Sequence, residues 1–267
     1  MPILHIAIVA LIQGITEFLP ISSSGHLILL PNLTGLADQG QAMDVAVHVG
    51  TLGAVILYFW ADVRRVLAGL PLVLQRRMEG PDAQMAFCLI IATVPVVVAG
   101  LLMKLAGLDA AVRSIAVVGW ATLVFGLVLW WSDRTGGHDL DARHWSPKHA
   151  FIMGLWQVLA LIPGTSRSGT TITGARQLGY NRHDAARLAM LMSIPTILAS
   201  GLLLAAEVAA DMNAALARDA AIGAAFAFIA ALGALHFMMR LLRSVSFTPY
   251  VIYRIVLGIV LLTIAYS

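Results

Sequence analysis

Gln13-Gly14-Ile15-Thr16-Glu17-Phe18-Leu19-Pro20-Ile21-Ser22-Ser23-Ser24-Gly25-His26 sets a carboxylate, a proline, three hydroxyls and an imidazole inside an otherwise apolar segment. A second such stretch lies far downstream: Ile162-Pro163-Gly164-Thr165-Ser166-Arg167-Ser168-Gly169-Thr170-Thr171. An ionised side chain at mid-bilayer depth costs roughly 3 kcal/mol or more, so such residues usually face a cavity and carry function. Neither stretch reads as a plain lipid-facing helix. Both are expected to be interrupted segments that meet in one wet pocket inside a membrane.

The composition around them supports a membrane setting. The 267 residues are 60% hydrophobic and only 12% charged, with a mean hydropathy of +0.87. A soluble domain has no way to hide that much apolar surface. Several uncharged runs of about 20 residues indicate a multi-span, all-α integral membrane protein. An outer-membrane barrel needs short alternating segments divided by turns, and these are absent. The net charge of +3 is better explained by arginine-rich inner loops than by nucleic acid, and no nucleic-acid partner is expected. Cys88 is the one cysteine, so an intrachain disulfide is excluded and a packing role is expected. The first residues lack a basic cluster and a small-residue cleavage site, so a cleaved signal peptide is not expected.

Residues 3–36 are broken at Pro20 and again at Pro31. The pieces are too short for two full spans, and a re-entrant hairpin fits better. Spans are expected at about 42–60, 85–103, 114–132, 185–207, 219–239 and 247–266. Arg64, Arg65, Arg76 and Arg77 mark 64–80 as a cytoplasmic connection, and Lys104, Asp109 and Arg113 mark a short outer turn. The second broken segment covers roughly 150–180. The chain thus reads as one membrane domain, 1–267, with about six transmembrane helices and two re-entrant helix hairpins. Halves of approximately 1–132 and 149–267 are joined by a polar cytoplasmic loop, 133–148, and the histidines of 138–149 are expected to sit in water. Ser22-Ser23-Ser24-Gly25 aligns with Ser166-Arg167-Ser168-Gly169, each following a proline and a glutamine-bearing helix (Gln13, Gln157). Two broken segments inserted from opposite faces are the sequence sign of an inverted-topology repeat.

The side chains of these stretches suit an anion. Gln13 and Glu17, four apart, share a helical face. Serine needs a neighbouring base to become a nucleophile, and His26 stands near Ser22, Ser23 and Ser24 in the chain to serve as that base. His26 is also an alternative nucleophile. Arg167 between Ser166 and Ser168 matches phosphate oxygens, and Gly164 and Gly169 let backbone amides approach an anion. The bland readings are hydroxyls that only satisfy freed backbone groups, and an Arg167–Glu17 ion pair that is only structural. Asp44 and His48 share a face and line the same cavity or support it. Arg254, inside the last span, is expected to snorkel or to pin a neighbouring helix.

At these residues the chain resembles the undecaprenyl-pyrophosphate phosphatase family, known for bacitracin resistance. That family carries a Glu/Gln-x-x-x-Glu motif, here Gln13 to Glu17, and a Pro-Gly-x-Ser-Arg-Ser-x-x-Thr motif, here Pro163 to Thr171. The match extends through Phe18 to His26 and the terminal Phe247-Thr248-Pro249-Tyr250 with Tyr253-Arg254. The resemblance implies a bacterial inner-membrane enzyme, its site facing the periplasm, that removes the terminal phosphate of undecaprenyl pyrophosphate and recycles the carrier for cell-wall synthesis. It further implies dependence on a divalent cation, Mg²⁺ or Ca²⁺, which Glu17 would help to hold or which arrives with the substrate. Carried over by position, Glu17, Ser23, His26 and Arg167 are catalytic. Gln13, Ser22, Ser24, Gly164, Ser166, Ser168 and Thr171 bind substrate. The rival from another class is a transporter that flips undecaprenyl phosphate, since broken helices and inverted repeats are transporter architecture. A homodimer is compatible with the reading but not required by it.

Overall fold

Residues 1–35, 39–108, 114–208 and 213–267 are described by a computed structural model. Their regular structure is helical: α1 (Ile3–Thr16), α2 (Ser23–Thr34), α3 (Gln41–Tyr58), α4 (Trp60–Leu74), α5 (Pro81–Leu105) and α6 (Ile115–Thr135) come first. They are followed by α7 (Pro147–Val158), α8 (Arg167–Gln177), α9 (Arg182–Val208), α10 (Ala214–Leu241) and α11 (Thr248–Tyr266). Short 3₁₀ turns sit at Ala142–His144 and Leu159–Leu161. Among the described residues six helices are long and apolar enough to cross a membrane: α3, α5, α6, α9, α10 and α11. At 1.5 Å per residue, about 18 residues already reach roughly 27 Å, close to the thickness of a hydrocarbon core. All six overlie the expected spans. In the expected outer turn, Asp109 and Arg113 lie outside the described residues.

The remaining helices are short because their sequences are interrupted. α1 stops at Thr16, and residues 17–21, Pro20 among them, form turns ahead of Ser22. α7 stops at Val158, and the 3₁₀ turn and Pro163-Gly164 follow before α8 starts. Pro31, expected to break the chain, instead lies inside α2. A proline in the last turn removes a single N–H, that which would reach Leu27, and the helix ends only a few residues later at Gly35.

Two expected connections are more ordered than the sequence suggested. Segment 64–80 contains most of α4, because Val63, Val66, Leu67 and Leu70 fall on one helical face and turn toward α5 and α9. Asp62 on α4 takes two N–H donors from Arg187 of α9. The loop after α6 is likewise folded down. Trp145 is buried, His149 lies 2.8 Å from the Tyr180 hydroxyl, and His138 lies 3.4 Å from Arg176. The expectation that these histidines sit in water therefore fails for the half-buried His149, while His138 and His144 are exposed as expected.

At this end of the molecule Asp133 is a junction. It is buried, accepts from Arg176 (3.1 Å) and Arg182 (2.8 Å), and takes the Phe247 amide at 3.2 Å. The fully buried Arg176 also donates to the carbonyls of Gly137 and Tyr180. One carboxylate thereby joins α6, α8, α9 and the start of α11. Asp133→Ala would leave Arg176 buried without its counter-charge, a loss of about 3–5 kcal/mol. A drop in melting temperature in detergent checks this; Asp133→Ala with unchanged melting would refute the junction.

The long helices pack most closely in pairs, α3 with α10 and α6 with α11, while α1 lies on α10 and α7 on α5. Small residues allow the approach. A Cβ at Gly50 of α3 would lie 2.2 Å from the Ala224 carbonyl oxygen of α10, so the two backbones are in direct contact there. The main hydrophobic cluster, which includes Phe18, Leu19, Leu129, Met153, Ile172 and Leu188, runs beneath both interrupted segments and holds them inside the bundle.

Candidate active site

The two interruptions converge. Ser22 precedes α2 and Ser166 precedes α8, and both have positive φ, 71° and 69°. That region is disfavoured for a residue with a side chain and persists only where the surroundings over-determine it. Each serine hydroxyl lies 3.1 Å from a second one two residues on, Ser22 with Ser24 and Ser166 with Ser168. The two loops then exchange bonds. The Gly164 amide donates to Ser24 Oγ at 3.1 Å, and Ser168 Oγ donates to the Leu19 carbonyl at 3.1 Å. Gly164 has φ 96°, and a Cβ there would lie 2.4 Å from the Val118 carbonyl oxygen. Only glycine fits that position.

Arg254 locks the same junction from α11. It is completely buried and donates to carbonyls of both loops: Pro20 (3.3 Å), Gly164 (3.1 Å) and Thr165 (2.9 Å). Its Nε reaches the Thr122 carbonyl at 3.0 Å. Of the two expected roles, snorkelling and pinning a neighbouring helix, the second is what Arg254 does: its guanidinium donors hold the Thr122 carbonyl of α6 and carbonyls of both loops left over by broken helices.

A cavity of about 250 Å³ opens between the loops, walled by Glu17, Ser22, Ser23, Ser24, Gly164, Ser166 and Arg167. His48, Thr196 and Ser200 and a few apolar side chains complete it. Glu17, just past the end of α1, is the centre. One oxygen accepts from Ser23 Oγ (2.7 Å) and Gln13 Nε2 (2.9 Å). The other accepts from the Arg167 guanidinium. Glu17 and Arg167 side chains are 8% and 16% exposed, enough to reach the cavity but not bulk water. Because α2 begins at Ser23 and α8 at Arg167, two helix N-termini also aim their free amides at this space.

Other sequence-predicted residues are placed elsewhere. His26 is not in the cavity wall and does not contact Ser23. Its Nδ1 is 2.7 Å from the Ser22 carbonyl and its Nε2 is 2.6 Å from the Tyr253 hydroxyl. A carbonyl only accepts, so Nδ1 carries a proton and a neutral ring accepts from Tyr253. The geometry gives Ser23 a different neighbouring base, Glu17. Thr171 is fully buried, bonded to the Arg167 and Ser168 carbonyls of its own helix. Ser168 is buried in the loop-to-loop bond, and Gln13 lies behind Glu17 with Oε1 buried and unpartnered. These three support the wall rather than form it.

His48, one of a pair with Asp44 in the sequence, does line the cavity, with Nε2 3.9 Å from Glu17 Oε2. Asp44 accepts from Gln39 at 2.8 Å and is not in the wall. Thr196 and Ser200 were missed by sequence reasoning; two hydroxyls four apart after Pro195, inside an apolar span, were the available signal. Among the described residues no group of three or more His, Cys, Asp or Glu side chains is gathered as metal ligands. Gln13 turns its amide N–H, not its oxygen, to Glu17, so Glu17 is the carboxylate that the cavity wall offers to a cation whose remaining ligands would be phosphate oxygens.

The described arrangement holds an anion acceptor, a hydroxyl and a carboxylate within bonding distance. The family described as bacitracin resistance protein BacA matches residues 6–260. The undecaprenyl-diphosphatases of Ruegeria pomeroyi and Dinoroseobacter shibae are each 66% identical over 267 residues, covering all of both chains. The undecaprenyl-diphosphatase 1 of Rhodospirillum rubrum is 44% identical over 272 residues, covering all of this chain and 96% of its own. With near-complete coverage at such identity, this chain belongs to the bacitracin resistance protein BacA family.

Proposed function

We propose that the chain is a membrane hydrolase that converts undecaprenyl pyrophosphate to undecaprenyl phosphate and inorganic phosphate. The relatives' names supply the substrate, and one contact carries the chemistry: Ser23 Oγ donating to Glu17 Oε2 at 2.7 Å, with Arg167 on the opposite oxygen. In this reading the protein sits in a bacterial inner membrane, its cavity facing the periplasm, and the substrate's tail lies among the spans.

The terminal phosphate takes Arg167 from Glu17, and the Ser166 hydroxyl and the first amides of α2 and α8 help to hold it in line. Glu17, relieved of the guanidinium, accepts the Ser23 proton as Ser23 Oγ attacks phosphorus and undecaprenyl phosphate leaves. Glu17 passes that proton to the departing undecaprenyl phosphate and, ionised again, takes one from a water that attacks the phosphoserine, so that inorganic phosphate leaves and the Ser23 hydroxyl is restored. Positioning and preorganised charge supply most of the rate in such transfers. His26 acts through Ser22, whose carbonyl it fixes. A Mg²⁺ or Ca²⁺ ion, held by Glu17 together with the pyrophosphate, would neutralise charge that develops on the phosphate oxygens.

Gln13 makes a measurable difference to this account. Gln13→Glu adds a second carboxylate beside Glu17 and is expected to lower the Mg²⁺ concentration for half-maximal activity. An unchanged Mg²⁺ titration would remove position 13 from the cation's ligands.

An inverted-topology repeat of two re-entrant hairpins, α1–α2 and α7–α8, is part of the proposal. Three observations support it: the matched positive φ of Ser22 and Ser166, the two Oγ–Oγ pairs, and the reciprocal packing of α1 on α10 and α7 on α5. The same symmetry would serve lipid flipping, but flipping requires no hydroxyl poised on a carboxylate. The test is phosphate release from undecaprenyl pyrophosphate by detergent-purified protein, with and without EDTA, followed by peptide mapping of the trapped phosphoenzyme. Label on Ser23 is expected; turnover without any phosphoserine would replace the covalent route with direct attack by water.

A further inference from the structure

A second polar cavity lies at the opposite end of the same helices. Tyr58 is ten residues beyond His48 on α3, about 15 Å along the axis, and Arg187 is nine residues before Thr196 on α9, about 13 Å. There the ends of α3 and α10 and the start of α9 enclose a space of about 590 Å³. Its polar lining is basic: Arg187, Arg240, Arg243, His183 and His236, with Tyr58 beside them. The charge of Arg187 is answered by Asp62 and Asp184. Arg240 and Arg243 are exposed and, among the described residues, have no carboxylate partner. The catalytic reading makes no use of any of these side chains.

We propose that this cavity binds the phosphodiester headgroup of an anionic glycerophospholipid. Two forked guanidinium groups converging on one space match phosphate oxygens better than any other common anion-bearing group at a membrane surface. The place fits a lipid rather than a solute. Tyr58, Phe59 and Trp60 form an aromatic cluster where the spans meet the interface. Apolar Phe59 and Met239 stand in the same wall as the arginines, so acyl chains and headgroup are served together. Basic pockets between transmembrane helices on the arginine-rich side are suited to such headgroups.

The experiment is native mass spectrometry of the whole protein in mixed micelles containing dioleoyl phosphatidylglycerol or dioleoyl phosphatidylcholine. The wild type is expected to retain phosphatidylglycerol over phosphatidylcholine by on the order of 10-fold. The double variant Arg240→Gln/Arg243→Gln loses that preference, while Arg240→Lys/Arg243→Lys keeps most of it. Unchanged elution and melting of the variants exclude misfolding as the cause. Equal retention of both lipids by the wild type, or an undiminished preference in the double glutamine variant, overturns the proposal. Displacement of phosphatidylglycerol by millimolar inorganic phosphate would overturn the lipid as the source and assign the cavity to free phosphate.

Discussion

Arg167→Ala should lower kcat/KM for undecaprenyl pyrophosphate by about 10³- to 10⁵-fold, the range found where an arginine stabilises the transition state of phosphoryl transfer. The reason lies in the position of the guanidinium. It is bonded to Glu17 on one side and directed toward the Ser193 carbonyl at 3.5 Å on the other, so it is already held beside the cavity before any phosphate arrives. A bidentate phosphate contact that strengthens as charge develops lowers the barrier more than it tightens the ground state. Arg167→Lys keeps the charge but not the fork, and should recover only part of the loss. Arg167→Ala leaves Glu17, 8% exposed, without its counter-charge, so its melting temperature should fall, whereas Arg167→Lys should melt like the parent; turnover is therefore compared on the folded, monodisperse fraction of each variant. Near-normal turnover by Arg167→Ala would refute the clamp.

Arg254→Met is expected to reduce kcat by about 10²-fold although residue 254 never reaches the cavity. Its guanidinium joins the Pro20 carbonyl of the first loop to the Gly164 and Thr165 carbonyls of the second. Without it, Ser23 and Arg167 are carried on loops that are free to shift, and a displacement of about 1 Å in reacting groups is enough for such a loss. Stability should fall much less than turnover. A buried guanidinium without a carboxylate partner is itself costly, and methionine fills a similar volume. Measuring kcat at saturating substrate beside melting temperature separates the two effects. A variant that melts early yet turns over normally would show that Arg254 braces the bundle and not the site.

The legibility of this chain is uneven for physical reasons. Six spans were readable because the length and apolar content of a crossing helix are demanded by the bilayer, whatever the helix packs against. Glu17, Ser23 and Arg167 were readable because polar side chains in that setting are expensive unless used. For His26, adjacency in sequence does not give its partner. It lies three residues after Ser23, but a helix turns its ring toward Tyr253 on α11, and Ser23 finds Glu17 across the loop instead. Thr171 and Ser168 belong to the motif, yet their hydroxyls are consumed by backbone carbonyls.

From residue order alone came the membrane, the number of crossings and the two interrupted segments, since each follows from the local cost of placing a side chain or a proline in hydrocarbon. Tertiary structure decided the partners: Arg254 across both loops, His48 over Glu17, α4 folded onto α5 and α9, and Asp133 as the hub of four helices. Those pairings join residues up to 234 positions apart. Their energies depend on how helices cross, which no local pattern of polarity records.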